Sequence, residues 1–336
     1  MTTTPTTLED VARLAGVSRA TASRVLLRRG RFSQASRDKV EHAARQLGYV
    51  PNVLASDLAS KTGPDTVGLL LRDATTPAYG LLFSCLQEQA RRHELTMVTM
   101  TVVGDPDNTG QMDAIRRLLG LQVRALVIAT GSVPSEDIAP YSRDVWMIRA
   151  GRPEPTGLLN AISYDEHAHG RFLADRVWDM GHRHVLVHRV EPHVSLPEHH
   201  RSHAMATRLT ELGATVVDLD VSTLDETAAA DVSLDLAVAE QATCVMCPSD
   251  LRLLGLLRQA HPRGLDLGRD LSATGCDGIL PGVDVMGLTT IRLPVEQVAR
   301  RTMDHVAAAI AGTTEPLVAE HLSGDFMAGR TLGPLN

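Results

Sequence analysis

Apolar residues recur at helical spacing over the first fifty positions, then gather into short continuous runs from Val67 onward. In the first region Val11, Leu14 and Ala15 form one stripe, and Val40, Ala43, Ala44 and Leu47 form another. Thr7 is placed to cap a first helix, with Asp10 three residues on reaching back to the cap amide. Gly16 suits a left-handed position after that helix, and Ser18 caps a second one. The small side chains of Ala12, Ala15 and Ala22 allow the two helices to cross closely, with Val17 and Val25 filling the space between. Ser33 caps a third helix and Gly48 ends it. The pattern predicts a helix-turn-helix over residues 7–25 within a three-helix unit.

The apolar runs at 67–71, 96–103, 125–129 and 145–148 read as strands, and 81–93 and 109–119 read as helices between them. The alternation restarts after 160–165: a helix at 167–180, a strand at 185–188, a helix at 203–212, then strands at 216–219, 244–247 and 271–274. Such alternation implies parallel sheets with helices on both faces. Two such series predict two lobes with a cleft at the carboxyl ends of the strands. The predicted fold is therefore α/β: a helix-turn-helix three-helix head, residues 1–49, a hinge helix or linker, 50–64, and a two-lobed body, 65–336. The first lobe takes about 65–162 with about 292–325, the second about 163–291 with the C-terminal tail. The hinge, from Pro51 to Pro64, is too short for a helix stable on its own in water. It is expected to order when paired with a twin chain on a DNA minor groove, with Leu58 as an apolar wedge between base steps.

Charge sharpens this picture. Residues 1–62 hold ten basic and five acidic side chains, a net +5, whereas the remainder carries 23 against 35, a net −12. A basic head on an acidic body suits binding a polyanion with one end only. The second helix presents Arg19, Ala20, Thr21, Ser23 and Arg24 near its N-terminal end. Arginine reads guanine through paired hydrogen bonds, and an alanine or threonine methyl meets a thymine methyl. The alternative is an ordinary surface pair of helices.

No run of 18 apolar residues exists, and the N-terminus lacks a signal peptide's basic segment and apolar core, so a cytoplasmic protein without membrane contact is expected. Motifs for a nucleophile elbow, a Walker loop or a zinc-protease helix are missing, so neither enzyme activity nor a cofactor is expected. Cys244 and Cys247 have CxxC spacing, but Val245 and Met246 between them read as strand, which sends the two thiols to opposite faces. Core packing is the expectation for both.

The chain resembles the lactose/galactose-repressor (LacI) family of bacterial transcription factors. The resemblance runs through residues 8–25, Gly48-Tyr49-Val50-Pro51-Asn52, Leu58-Ala59, Asp165, residues 180–183, Pro248-Ser249-Asp250, Gly275-Cys276-Asp277 and residues 288–291. It implies a homodimeric, sugar-responsive repressor that binds double-stranded DNA at a palindromic operator. Arg19 and Ala20 would set base specificity, with Thr21 and Arg24 in support. Thr7, Ser18, Ser33, Ser36 and Asn52 would fix position on the backbone, and Ala55 and Leu58 would act from the hinge. For the effector, a sugar or sugar phosphate, the resemblance implies Tyr79, Arg201, Ser249, Asp250 and Asp277, with strand-end capping as the alternative role. Departures stand at Leu27 and Val53 in the head and hinge, where the family commonly has polar residues. Ser249 replaces an Asn and Ala204 a Gly, and the 73–79 loop lacks its usual Asn. They leave open a regulator whose degenerate pocket binds no sugar.

Seven of the 14 histidines fall between His182 and His203. His199 and His203 have helical ligand spacing, which raises a metal-responsive variant, although no metal site is assigned. A second reading is that His188, Arg189, His193, His200 and Arg201 make the pocket mouth electropositive; the third is an exposed loop. Aromatic residues are only 3% of the chain, which argues against a bulky neutral oligosaccharide; Tyr79, Trp146 and Trp178 are the stacking candidates.

Overall fold

The structure is a computed structural model that describes residues 7–26, 32–49, 65–105, 107–130, 133–313 and 317–335. The chain divides into two compact units, Met1–Pro64 and Asp65–Asn336. The hinge residues Asn52, Ala55 and Leu58, and the departures at Leu27 and Val53, lie outside the described residues.

The first unit contains α1 (Leu8–Ala15), α2 (Arg19–Leu26) and α3 (Gln34–Leu47). The cap of α1 is reciprocal: Asp10 N donates to Thr7 Oγ1 at 3.3 Å, and Thr7 N donates to Asp10 Oδ2 at 3.0 Å. These bonds satisfy amides that the helix itself leaves unpaired. Gly16 closes α1 at φ 65°, a left-handed conformation that glycine adopts without steric cost. Thr21 N donates to Ser18 Oγ at the start of α2, and Ser36 N to Ser33 Oγ at the start of α3. Val11, Ala12, Ala15, Ala22, Val25, Val40, Ala43 and Ala44 form the buried core, with Leu47 partly buried against it. Leu14, expected in the buried stripe, is 48% exposed. Val11, Ala12 and Ala15 already fill the arc facing α2 and α3, and position 14 falls on its flank.

The second unit begins with β1 (Thr66–Leu71), α4 (Pro77–Arg92), β2 (Thr96–Thr101), α5 (Thr109–Gly120), β3 (Ala125–Ala129), the short α6 (Ser135–Ile138), β4 (Trp146–Ala150) and β5 (Asn160–Tyr164). It continues with α7 (Glu166–Asp179), β6 (His184–Arg189), α8 (Leu196–Leu212), β7 (Thr215–Asp220), α9 (Glu226–Ala239), β8 (Cys244–Met246), α10 (Asp250–Ala260) and β9 (Ser272–Thr274). It ends with α11 (Val283–Met286), β10 (Thr290–Arg292), α12 (Val295–Ile310), β11 (Ala319–Leu322) and β12 (Asp325–Met327).

The first lobe is a six-stranded sheet in the order β11-β5-β4-β3-β1-β2, and the second a four-stranded sheet in the order β7-β6-β8-β9. Every pairing within these two sheets is parallel. Central strands buried on both faces explain why 67–71 and 125–129 are unbroken apolar runs. The chain passes from the first sheet to the second after β5. It returns through β10 to α12 and β11, then crosses again to β12, which pairs antiparallel with β10.

One structural finding here corrects the expectations. Helix α8 starts at Leu196, seven residues before the expected start at His203. Ser195 is extended at its N-cap and Pro197 occupies the first turn, where a missing amide is harmless. The histidine-rich segment is therefore largely strand and helix rather than an exposed loop. Cys244 faces the core shared with Val185 and Met246, while Cys247 faces the opposite core with Val245 and Leu253. Burial pushes both thiols up, Cys247 to about 12.

Candidate nucleic-acid interface and ligand cavity

In the first unit, Ala22 and Val25 turn into the core while Arg19, Ala20 and Arg24 stand exposed and Thr21 lies half-buried. Arg24 Nε donates to Ala20 O at 3.3 Å, and the Ser18 and Thr21 hydroxyls lie 2.9 Å apart. Arg19 has only a loose, exposed approach to Glu9 at 4.0 Å, so its guanidinium is available to a partner. Thr7, Ser18 and Ser33 cap the three helices, and Ser36 lies in the first turn of α3. These positions sit beside helix N-termini, whose free amides and dipoles favour phosphate.

In the second unit a cavity of about 310 Å³ opens at the carboxyl ends of the strands of both sheets. Its first-lobe wall holds Arg72, Tyr79, Leu82 and Tyr164; its second-lobe wall holds Glu166, Glu198, Arg201, Ser249 and Asp277. Arg72 Nη2 donates to Val194 O at 2.8 Å, joining the end of β1 to the loop before α8 across the cleft. Tyr79, Arg201, Ser249 and Asp277 all line this one cavity. Asp250 is not a lining residue. Its Oδ1 accepts from Thr290 Oγ1 and its Oδ2 from Gly278 N, both at 2.7 Å, so it ties the ends of two chain segments together beneath the cavity. Trp146 and Trp178 do not line the cavity either; its aromatic rings are Tyr79 and Tyr164.

A buried charge cluster forms the floor. Arg201, 2% exposed, donates through Nε to Glu166 Oε2 at 2.7 Å and through Nη1 to Asp277 Oδ1 at 3.1 Å and to the Pro248 carbonyl. His169 Nε2 accepts from Gly324 N at 2.8 Å, which places its proton on Nδ1, 3.4 Å from Glu166 Oε2. Burial pushes the Glu166 carboxyl up, but Arg201 and His169 outweigh it and hold it at about 2. Asp277 shifts the other way: burial, with Asp250, Glu198 and Glu166 adding, raises it well above the usual carboxylate range against the pull of Arg201. Asp277 also holds φ at 138°, a strained conformation for a non-glycine residue. Such strain persists only where surrounding contacts over-determine it, and it clusters at functional sites.

Two buried polar atoms here have no partner: Glu166 Oε1 and Tyr164 Oη. Neither residue was singled out from the sequence. Glu166 follows the Asp165 landmark directly, but its pairing with Arg201 spans 35 positions.

The histidines do not build an electropositive mouth. His188 lies inside β6 and its Nε2 is 2.6 Å from Ser233 Oγ; burial pushes its ring down to about 3, so it is uncharged near neutrality. His182 is held between Thr243 and the Gly333 carbonyl. Burial lowers His200, and Arg189 faces Asp218 at 3.6 Å. Of the five residues in that reading, only Arg201 lines the cavity. His199 and His203 stack with ring centroids 6.2 Å apart, and no metal-competent cluster of three ligands occurs among the described residues. Nor is any described helix long and apolar enough to cross a membrane.

A helix-turn-helix unit with a polar-faced second helix, in one chain with a two-lobed α/β body around a charged cavity, defines a class of two-domain regulatory proteins. Residues 7–52 match the family described as bacterial regulatory proteins, lacI family, and residues 174–331 match a periplasmic binding protein-like domain. The HTH-type transcriptional regulator GalR of Escherichia coli (strain K12) is 29% identical over 313 residues, covering 91% of this chain and 89% of the relative. Catabolite control protein A of Priestia megaterium is 27% identical over 277 residues, covering 81% and 82%. A solved lac repressor dimer bound to operator and the anti-inducer ONPF has the same fold, with a TM-score of 0.81 at 22% identity, covering 98% of this chain and 100% of that one. The chain thus carries a lacI-family head together with a periplasmic binding protein-like body.

Proposed function

We propose that the protein is a cytoplasmic, homodimeric transcriptional repressor, not an enzyme, that binds a palindromic operator and is controlled by a small carbohydrate-type effector in the body cavity. The observation that carries this reading is the exposed Arg19, Ala20 and Arg24 on a helix anchored by Ala22 and Val25. The head comprises residues 1–49, the hinge 50–64 and the effector-binding and dimerisation body 65–336. Arg19 and Ala20 read base edges, with Thr21 and Arg24 in support. Thr7, Ser18, Ser33 and Ser36 contact phosphates and set register, and Asn52, Ala55 and Leu58 act from the hinge. In the body, Arg201 and Asp277 bind effector hydroxyls, Ser249 adds a hydrogen bond, and Tyr79 offers a ring face to the sugar. Asp250 supports them from below by fixing Gly278 and Thr290.

Selection of bound duplexes from a random DNA pool tests the DNA half of this reading. Enrichment of a two-fold symmetric site, with affinity falling steeply as salt rises, is the expected result. Recovery of unrelated sequences would overturn it.

A further inference from the structure

We propose that the cavity takes an amine-bearing polyol, an amino sugar or a hydroxylated amine of similar size, and that Glu166 receives its ammonium group. This rests on the reading that the cavity holds the effector, and it names the effector's chemistry.

Arg201 commits Nε to Glu166 and Nη1 to Asp277 and the Pro248 carbonyl. Its guanidinium is thereby unavailable as the forked, bidentate partner that a phosphate or carboxylate wants. Glu166 is the opposite case. It is 3% exposed and lines the cavity; Oε2 faces Arg201 and His169, while Oε1 has no partner. Ionised carboxylates only accept, so the missing partner must be a donor. Leaving a buried charged oxygen unpaired is costly, and an ammonium offers three donors together with the compensating charge.

The rest of the wall agrees. Asp73, Glu198 and Glu226 join Glu166, against Arg72 and Arg201. Arg252 is already compensated by Glu198 at 2.7 Å, and Arg72 has donors committed to the Val194 carbonyl and to Tyr79. Arg152 is not among the lining residues; its Nη1 donates to the Val133 carbonyl and its buried Nε has no partner. The partnerless Tyr164 Oη, 6% exposed and within the electrostatic reach of Glu166, can donate to or accept from a ligand hydroxyl. Tyr79, Leu82 and Leu293 supply apolar surface for a ring face.

The test is calorimetric titration of the full-length protein with glucosamine, galactosamine and mannosamine, each beside its neutral parent hexose, its N-acetyl derivative and the hexose 6-phosphate. At least one amine is expected to bind about tenfold more tightly than its neutral parent, since a charge-assisted hydrogen bond is roughly twice as strong as a neutral one. N-acetylation, which removes the charge, is expected to abolish that margin, and the 6-phosphate is expected to bind most weakly. Glu166→Gln should bring the amine to the level of its parent; the N-acetyl comparison on the unmodified protein decides the matter even if that variant folds poorly. Tighter binding of a 6-phosphate, equal binding of amine and N-acetyl derivative, or binding of no probe in the panel would overturn the proposal. Operator affinity measured on the same preparation separates the two failures. Intact sequence-specific DNA binding leaves the repressor reading standing, and its absence removes that reading as well.

Discussion

Replacing Arg201 with methionine removes the cation from the cavity floor while keeping much of the side chain's length. Two carboxylates depend on that cation, Glu166 at 2.7 Å and Asp277 at 3.1 Å, and the Pro248 carbonyl loses a donor. Arg201 and Glu166 are both nearly inaccessible to solvent, so water cannot substitute. Breaking one partner out of a buried ion pair costs about 3–5 kcal/mol, because the other charge is left uncompensated. Replacing both partners with neutral groups is far milder, so Glu166→Gln combined with Arg201→Met should recover most of the loss, to within about 2 kcal/mol of the parent. The assay is urea unfolding of all four proteins at pH 7 and again near pH 4. In the parent, Glu166 is depressed to about 2, so its stabilising contribution is full above the ordinary carboxylate range and is lost as pH falls through about 2. In Arg201→Met, Glu166 is buried without a counterion and prefers to be protonated, so that variant gains relative to the parent as pH falls. The deficit should therefore shrink at pH 4. A single-variant cost below about 1 kcal/mol, or a double variant equal to the sum of its singles, would refute the buried-pair reasoning.

Three further outcomes are expected. Thr7→Ala removes the reciprocal cap of α1 and should destabilise the head by about 1 kcal/mol, read as faster amide exchange across α1. Gly170→Ala places a Cβ against the Arg201 carbonyl and 2.8 Å from Ala204 Cβ where α7 and α8 cross, and should cost about 1–3 kcal/mol in body stability by thermal melting. His188 is held near 3 in the fold, against about 6.5 in an unfolded chain. The uncharged ring's stability is thus fully present above about 6.5 and lost as pH falls toward about 3, and His188→Phe should flatten that slope in a pH series of melting temperatures.

The legible parts of this chain were those encoded locally. The Thr7–Asp10 cap, Gly16 and Ser33 announce helix ends through contacts within three or four positions, and the head follows from them. Strands β1 and β3 showed as apolar runs because both of their faces are buried. The first turns of helix α8 are hidden in the sequence because His199, His200 and Arg201 look like a polar loop. Their burial depends on packing against α7, which the local pattern does not contain. Helices α9, α10 and α12 were not singled out; α9 is rich in alanine, and its apolar and polar positions separate weakly around the helix. In the cavity, Arg201 and Asp277 followed from family-like segments, whereas Glu166 and Tyr164 acquire their roles from partners or from the lack of them in three dimensions. Asp250 shows the converse: a family-like position whose side chain is fully occupied in holding Gly278 and Thr290.

Effector control requires that the cavity and the DNA-reading helix be thermodynamically linked. The most direct measurement is the dissociation constant for the selected operator with and without a saturating concentration of whichever hexosamine the calorimetry selects, at fixed salt. Operator affinity is expected to shift by about 5- to 150-fold, the range of ordinary allosteric coupling, with an equal shift in ligand affinity when operator is present. An operator affinity unchanged while the cavity is saturated would contradict it.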